Sequence, residues 1–295
     1  MRVLVTGATG FIGSRLVPFL VESGHDVVAA GHRPERLVRL GPLRTIAIDL
    51  RDPDVADRFP RRVDAVVHLA QANVSPAAED ALAAVNTGGS AAVAAYAARA
   101  GAATFVLASS GSVYGGSLRP FREDDPLRPP DAYARSKIGA EQVVHDRSGE
   151  FAVTILRLFA PYGPHQQGRL IPQLVASVRS GRPVTLRPSG RPRLNPIHVD
   201  HVVSVLEQAL VPRTGALTVV NVAGDEVLSI REMAETIGRV VRTDPVFEPI
   251  AESSSGDLVG DTTMLRRQFD LPTSLMTFEE GIAQVVAAET RAVQA

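Results

Sequence analysis

The sequence predicts an α/β protein: a doubly wound parallel sheet followed by a smaller, irregular C-terminal lobe. Three observations predict it. Short apolar segments alternate with helical ones over the first half, a glycine-rich turn follows the first apolar segment, and proline and glycine become frequent after Pro161. Short buried strands are expected at Val3–Val5, Val27–Ala30, Thr45–Ile48, Ala65–Leu69, Thr104–Ala108 and Val153–Leu158. Helices are expected between them at Gly13–Ser23, Pro34–Leu40, Ala78–Arg99 and Ala132–His145. Repeated βα units imply a parallel sheet covered on both faces, with right-handed crossovers. Ligands of such a sheet collect beyond the carboxyl ends of its strands.

Past Pro161, helices are expected at Asp200–Leu210 and Ile230–Val241, with Asp200 and Ser229 as their caps. Glu248–Asp257, with Ser253, Ser254 and Ser255, reads as a mobile surface loop. Residues 1–164 form the expected dinucleotide-binding domain, to which 194–222 return, and 165–295 form mainly a substrate lobe.

Composition removes several classes. At 295 residues and 45% hydrophobic content the chain can bury a full core. With 31 basic against 32 acidic residues no basic field favours nucleic acid. The absence of cysteine excludes disulfides and thiolate metal sites and suits a cytoplasmic enzyme, and no metal site is expected. A strand directly after Met1 leaves no room for a signal peptide. The alanine-rich run Ala91–Ala98 is too short, and Tyr96 and Arg99 too polar, for a membrane span.

Three segments carry chemistry. In the first, Gly7 permits a tight turn, Gly10 lets the backbone approach a pyrophosphate, and Gly13 lets helix and strand pack closely. The helix N-terminus then faces the anion. A strand-to-helix turn without a ligand is the alternative, but strand, turn, helix and position all agree with a dinucleotide. In the second, Tyr133 and Lys137 stand four apart on one helical face. A neighbouring ammonium favours the phenolate and brings a tyrosine toward acid/base work near neutrality; chance spacing of two surface residues is the alternative. In the third, Ser109 and Ser110 end a strand, where a hydroxyl can donate to a substrate oxygen, or simply close a turn.

Together these segments resemble the extended short-chain dehydrogenase/reductases, the NAD-dependent epimerase/dehydratase family, over essentially the whole chain. Thr6–Gly13 (TGATGFIG) is similar to that branch's TGxxGxxG signature. Asp49-Leu50-Arg51-Asp52 resembles its adenine-side segment, His68-Leu69-Ala70 its HLAA motif, and Asn86-Thr87-Gly88-Gly89 the helix start that follows. Ser109–Gly115 resembles SSxxVYG, Tyr133–Lys137 YxxSK, Arg157–Pro164 RxxNxYGP, and Ile197–Asp200 IHVDD with His201 in place of the second acid. The resemblance implies a Rossmann fold whose Gly7, Thr9, Gly10, Phe11, Ile12, Gly13, Asp49, Leu50, Leu69 and Ala70 line the cofactor. It implies Tyr133 as acid/base, Lys137 as the ligand of the nicotinamide ribose that also tunes Tyr133, and Ser110 as the catalytic hydroxyl, with Ser112 a possible stand-in. It further implies a homodimer through the helices bearing Ala91 and Lys137, although the alanine face could equally meet its own sheet.

Departures from the pattern refine the reading. Gly31 stands where NAD-preferring members carry an acid, while His32 and Arg33 follow and could hold a 2′-phosphate, so NADP is favoured over NAD. Arg33 could instead cap its loop. Gly111 and Ser112 replace the Asp-Glu pair of dehydratases, which disfavours dehydration. Ala160 replaces an Asn that often touches a nucleotide sugar. Arg193 contacts a substrate diphosphate or lies solvated in its loop, and His165 lines the pocket or lies exposed in its loop. The leading expectation is an NAD(P)-dependent sugar-nucleotide epimerase or ketoreductase. The rivals are a reductase of a non-nucleotide carbonyl compound and a non-catalytic NADP-sensing regulator.

Overall fold

The computed structural model describes residues 1–72, 79–212, 215–252 and 256–294. Its strands are β1 (Arg2–Thr6), β2 (Asp26–Gly31), β3 (Arg44–Ala47), β4 (Ala65–His68), β5 (Thr104–Ser110), β6 (Ala152–Leu158), β7 (Pro161–Tyr162), β8 (Val184–Leu186), β9 (Arg193–Leu194), β10 (Ile197–His198), β11 (Leu217–Val222), β12 (Leu228–Ser229) and β13 (Phe247–Pro249). Its α-helices are α1 (Gly13–Glu22), α2 (Pro34–Leu37), α3 (Glu79–Leu82), α4 (Gly89–Ala100), α5 (Ala132–His145), α6 (Leu170–Arg179), α7 (Val199–Gln208), α8 (Ile230–Val241), α9 (Thr263–Gln268) and α10 (Phe278–Gln294).

A seven-stranded sheet in the order β11-β6-β5-β4-β1-β2-β3 forms the frame. Its centre is apolar on both faces: Val3, Leu4 and Val5 of β1 and Val66 and Val67 of β4 are fully buried. A strand covered on both sides needs a continuous apolar run rather than alternation, which is what these segments supply. The strand order reverses between β1, which continues to β2 and β3, and β4, which continues to β5. These strands run parallel, with Thr6 beside His68 in register. Their carboxyl ends are therefore the topological switch point at which such sheets bind ligands.

Within the sequence-based expectations, four details change. β3 is not a buried strand: Arg44, Thr45 and Ala47 are exposed, because it closes the edge of the sheet. The helix expected over Ala78–Arg99 is interrupted; α3 passes through a π-helical turn, Ala83–Gly88, before α4 begins, and Ala78 lies outside the described residues. Asp200 is not a cap, because β10 runs directly into α7 at Val199 and leaves Asp200 inside the first turn. The loop expected over Glu248–Asp257 is held at both ends. Glu248 and Pro249 pair with β8, Asp257 is buried, and its carboxylate meets Arg191 while its backbone pairs with Ser117. Ser253, Ser254 and Ser255 lie outside the described residues.

The chain divides into two compact units. One comprises Met1–Val113, Leu127–Arg157 and Val203–Val220; the other comprises Tyr114–Pro126, Leu158–Val202 and the chain from Asn221 onward. In the first, Val93, Ala94 and Ala97 of α4 pack with Ala140 and Val144 of α5 into the sheet-centred core. In the second, Ile171, Leu174, Val175 and Val178 form one stripe of α6, spaced as a helix needs to bury a single face. That stripe packs with Met233 and Ile237 of α8 and Phe278 and Ile282 of α10. Burying each such side chain contributes about 1.5–3 kcal/mol. The start of α8 is fixed by a capping box between Ser229 and Glu232. Among the described residues no helix is long and apolar enough to cross a membrane.

Candidate active site

The turn between β1 and α1 is shaped by backbone contacts. Gly7 has φ +70°, and a Cβ there would lie 2.6 Å from the Ala70 nitrogen and 2.7 Å from the Leu69 carbonyl carbon. A Cβ on Gly13 would come within 2.2 Å of the Gly7 oxygen. These two glycines let the turn fold onto itself and onto the end of β4. Gly10 is exposed, and among the described residues the Gly7 oxygen is the one neighbour a Cβ there would touch. Beside it, the backbone N–H groups of Phe11 and Ile12 have no protein acceptor among the described residues. Among the described residues no side chain caps α1. An open backbone with unpaired donors at the positive end of a helix fits a pyrophosphate.

The end of β2 accounts for the missing acid. A Cβ on Gly31 would sit 2.9 Å from both Cγ2 and Oγ1 of Thr9, so a side chain at this position would require Thr9 to turn. His32 and Arg33 are exposed, and Arg33 makes no ion pair among the described residues. Asp49 is turned toward Arg51, whose backbone N–H, Nε and Nη2 all donate to it. Those bonds hold its carboxyl down at about 2. Leu50 is buried against Gly89, where a Cβ would meet it at 2.8 Å.

The end of β5 and the first turns of α5 carry the candidate side chains Ser110, Tyr133 and Lys137. Asp131 caps α5 by accepting from the Ala134 N–H at 2.8 Å. This fixes the helix phase that puts Tyr133 and Lys137 one turn apart. Tyr133 is half-buried, and its hydroxyl donates to Gln71 Oε1 at 3.0 Å. Lys137 is buried, and its ammonium donates to the Ala108 carbonyl at 2.6 Å. Burial pushes Lys137 down to about 8, against the opposing pull of Glu141. β5 continues through Ser110, two residues further than expected, and a 3-10 turn over Gly111–Tyr114 follows. Ser110 Oγ lies 2.9 Å from Ser112 Oγ and accepts from the Ser112 N–H at 3.2 Å.

Several supporting groups escaped the sequence reading of roles. His68 is buried between Thr6 Oγ1 at 2.7 Å and Ser90 Oγ at 3.0 Å. Ser90 spends its one proton on the Asn86 carbonyl, at 2.5 Å. His68 Nε2–H therefore donates to Ser90, and Nδ1 accepts from Thr6, so the ring is satisfied as a neutral imidazole. Burial and the Lys137 charge push it down to about 3. Asn86, in the π-helical turn, accepts from the Ala72 N–H at 2.7 Å and donates to Ser136 Oγ at 2.9 Å. Ser136 in turn donates to the Tyr133 carbonyl. The loop after β4 is thereby tied to the turn of α5 that bears Tyr133. Such π-turns recur at functional sites, and only the polar pair Asn86-Thr87 inside an otherwise alanine-rich helix marks it in the sequence.

The substrate-side candidates lie in the second unit. Ala160 has φ 42° and His165 φ 67°, a left-handed region that Asn and Gly enter with least cost. His165 is exposed. The Arg193 side chain is exposed and donates to the Val227 carbonyl at 3.0 Å. Among the described residues no cluster of His, Asp or Glu could hold a metal ion.

The model of the NAD dependent epimerase/dehydratase family matches residues 3–223. The chain belongs to this family. It is 31% identical over 312 residues to the dTDP-glucose 4,6-dehydratase of Streptomyces griseus, covering 97% of this chain and 93% of that enzyme. It is 33% identical over 210 residues to the UDP-glucose 4-epimerase of Neisseria meningitidis serogroup C, covering 63% of this chain and 59% of that enzyme. Among solved structures it is similar to MoeE5 in complex with UDP-glucuronic acid and NAD, at 29% identity and a TM-score of 0.88, over 99% of this chain and 100% of that one. The protein is thus an NAD(P)-dependent enzyme of the extended short-chain dehydrogenase/reductase type, and a regulator without catalysis is set aside.

Proposed function

We propose that this enzyme is a sugar-nucleotide epimerase that inverts one carbon of a nucleoside-diphosphate sugar by oxidation and return. The observation that carries the reading is the acid-free turn after Ser110: Gly111 and Ser112 offer no carboxyl to expel a hydroxyl as water. That favours the epimerase relatives over the dehydratase, although the dehydratase aligns over more of the chain. When bound, the nicotinamide supplies hydride acceptance and return.

The chain's own residues do the rest. Tyr133 takes the proton of the substrate hydroxyl as the carbonyl forms and gives it back on reduction. The Lys137 ammonium stabilises the phenolate in between. Ser110 donates to the substrate oxygen as charge develops, with its lone pair already engaged by the Ser112 N–H. Gln71, which holds the Tyr133 hydroxyl, yields that position to the substrate. Arg193 and the segment Ala160–His165 are the proposed substrate side, and small half-buried residues Ala91, Ala95 and Ala98 on α4 are the proposed dimer contact. We infer NADP as the preferred cofactor, since Gly31 carries no acid and the exposed Arg33 can meet a 2′-phosphate.

Tyr133→Phe should keep the fold and cofactor affinity and lower turnover about 10²–10⁴-fold. Near-normal turnover of a UDP- or dTDP-hexose by this variant would remove Tyr133 from the reaction.

A further inference from the structure

Lys137 is the sole lysine among the 31 lysines and arginines of the chain. Every other basic position is an arginine, which stays charged under all conditions a protein meets. The one residue able to lose its proton is also one of the most buried, at 2% exposure. A buried ammonium demands a counter-charge, and the structure supplies it one helical turn away.

Glu141 is 5% exposed and Arg157 6% exposed. Arg157 donates to the Glu141 carboxylate through Nη2 at 2.7 Å and through Nε at 3.1 Å. Ser109 Oγ donates to Glu141 Oε1 at 2.5 Å. The end of β5 is thus gripped at successive residues: the Ala108 carbonyl by Lys137, the Ser109 hydroxyl by Glu141, and the Ser110 hydroxyl by Ser112. The charged and titratable groups around Lys137 are few. His68, from β4, is held neutral by its two hydroxyl partners; Tyr133 and Glu141 share its own helix; and Arg157, from β6, is engaged by Glu141.

We propose that Glu141 is a positioning residue for the reaction: anchored by Ser109 and Arg157, its carboxylate keeps Lys137 an ammonium and fixes the strand end that presents Ser110. The proposal rests on the reading that Tyr133 and Lys137 perform the chemistry, but its test does not depend on turnover. Without Glu141 the buried ammonium would lose the opposite charge one helical turn away, and the lysine would release its proton at lower pH.

The single lysine makes this measurable. Protein labelled with ¹³C at lysine Cε gives one lysine side-chain resonance, whose shift against pH reports Lys137 directly, with and without NADP. Wild type should titrate near about 8. Glu141→Gln should titrate lower by about one unit or more, as loss of an adjacent opposite charge requires. Glu141→Asp, which keeps the charge, should stay near wild type. Glu141→Gln combined with Arg157→Met removes both members of the ion pair. It should regain the thermal stability that the single variant loses while its lysine still titrates low. A double variant whose lysine returns to the wild-type titration would reduce the pair to a structural role and overturn the proposal, as would an unmoved titration in Glu141→Gln. Failure of the catalytic reading would show elsewhere, as unchanged turnover in Tyr133→Phe.

Discussion

At the scale of single residues, two buried bases, His68 and Lys137, are held in opposite charge states. His68 stays neutral because Ser90 has spent its proton on Asn86. Its ordinary pKa near ~6.5 falls to about 3 in the fold. Since the unfolded chain takes up this proton first, the stability due to neutral His68 is complete above about pH 6.5 and drains away as pH falls toward 3. Urea midpoints at pH 7 and pH 4.5 should therefore diverge more for wild type than for His68→Asn; equal divergence would mean that His68 is not held neutral. Arg33 gives a second test at this scale. Arg33→Ala should weaken NADPH binding more than NADH binding, by roughly 1.5–3 kcal/mol for a charge-assisted bond, and equal losses by titration would show that Arg33 reads no 2′-phosphate. The types of these residues were legible, because Tyr133, Lys137 and Ser110 stand at spacings with a chemical meaning. Their partners were not. Glu141 and Arg157 are sixteen positions apart, and no local period links a helix position to a strand position.

At the scale of elements, the glycines separate packing from exposure. Gly7 and Gly24 share a positive φ, but a Cβ on Gly7 collides with the backbone of Leu69 and Ala70, whereas one on Gly24 meets nothing within 4 Å. Gly24→Ala should cost only backbone strain, about 1 kcal/mol. Gly7→Ala adds overpacking of about 1–3 kcal/mol and should also lower dinucleotide affinity, because α1 must shift. Thermal melts showing equal losses would contradict the close approach of the turn to β4. The strong amphipathic period of α8 made it readable, and Ser229 is the cap its sequence suggests. The π-helical turn of Ala83–Gly88 was not readable, because its cause is tertiary: Asn86 reaches both Ala72 and Ser136, and Gly139 lets Thr87 approach α5 closely. The edge exposure of β3 escaped for the same reason, since burial depends on neighbours that only the strand order assigns.

At the scale of the whole molecule, the sheet was legible because both-face burial leaves continuous apolar runs, and its switch point follows from the strand order. The second unit was legible only in part: short paired strands such as β8 with β13 lie over sixty positions apart and carry little pattern of their own. The proposed dimer contact belongs here too. Ala95→Glu should convert a dimer to monomers in light scattering without lowering the melting temperature; a wild type that scatters as a monomer would remove the contact. The central claim is that this enzyme moves a hydride off a sugar carbon and returns it to the other face, without eliminating water. The direct measurement is proton NMR of a UDP- and dTDP-hexose panel incubated with the purified enzyme and catalytic NAD(P). The account predicts growth of the C4 epimer toward a fixed ratio, with no net change in the nucleotide absorbance at 340 nm. Accumulation of a 4-keto-6-deoxy sugar, or turnover confined to stoichiometric NADPH consumption with a carbonyl compound, would contradict it.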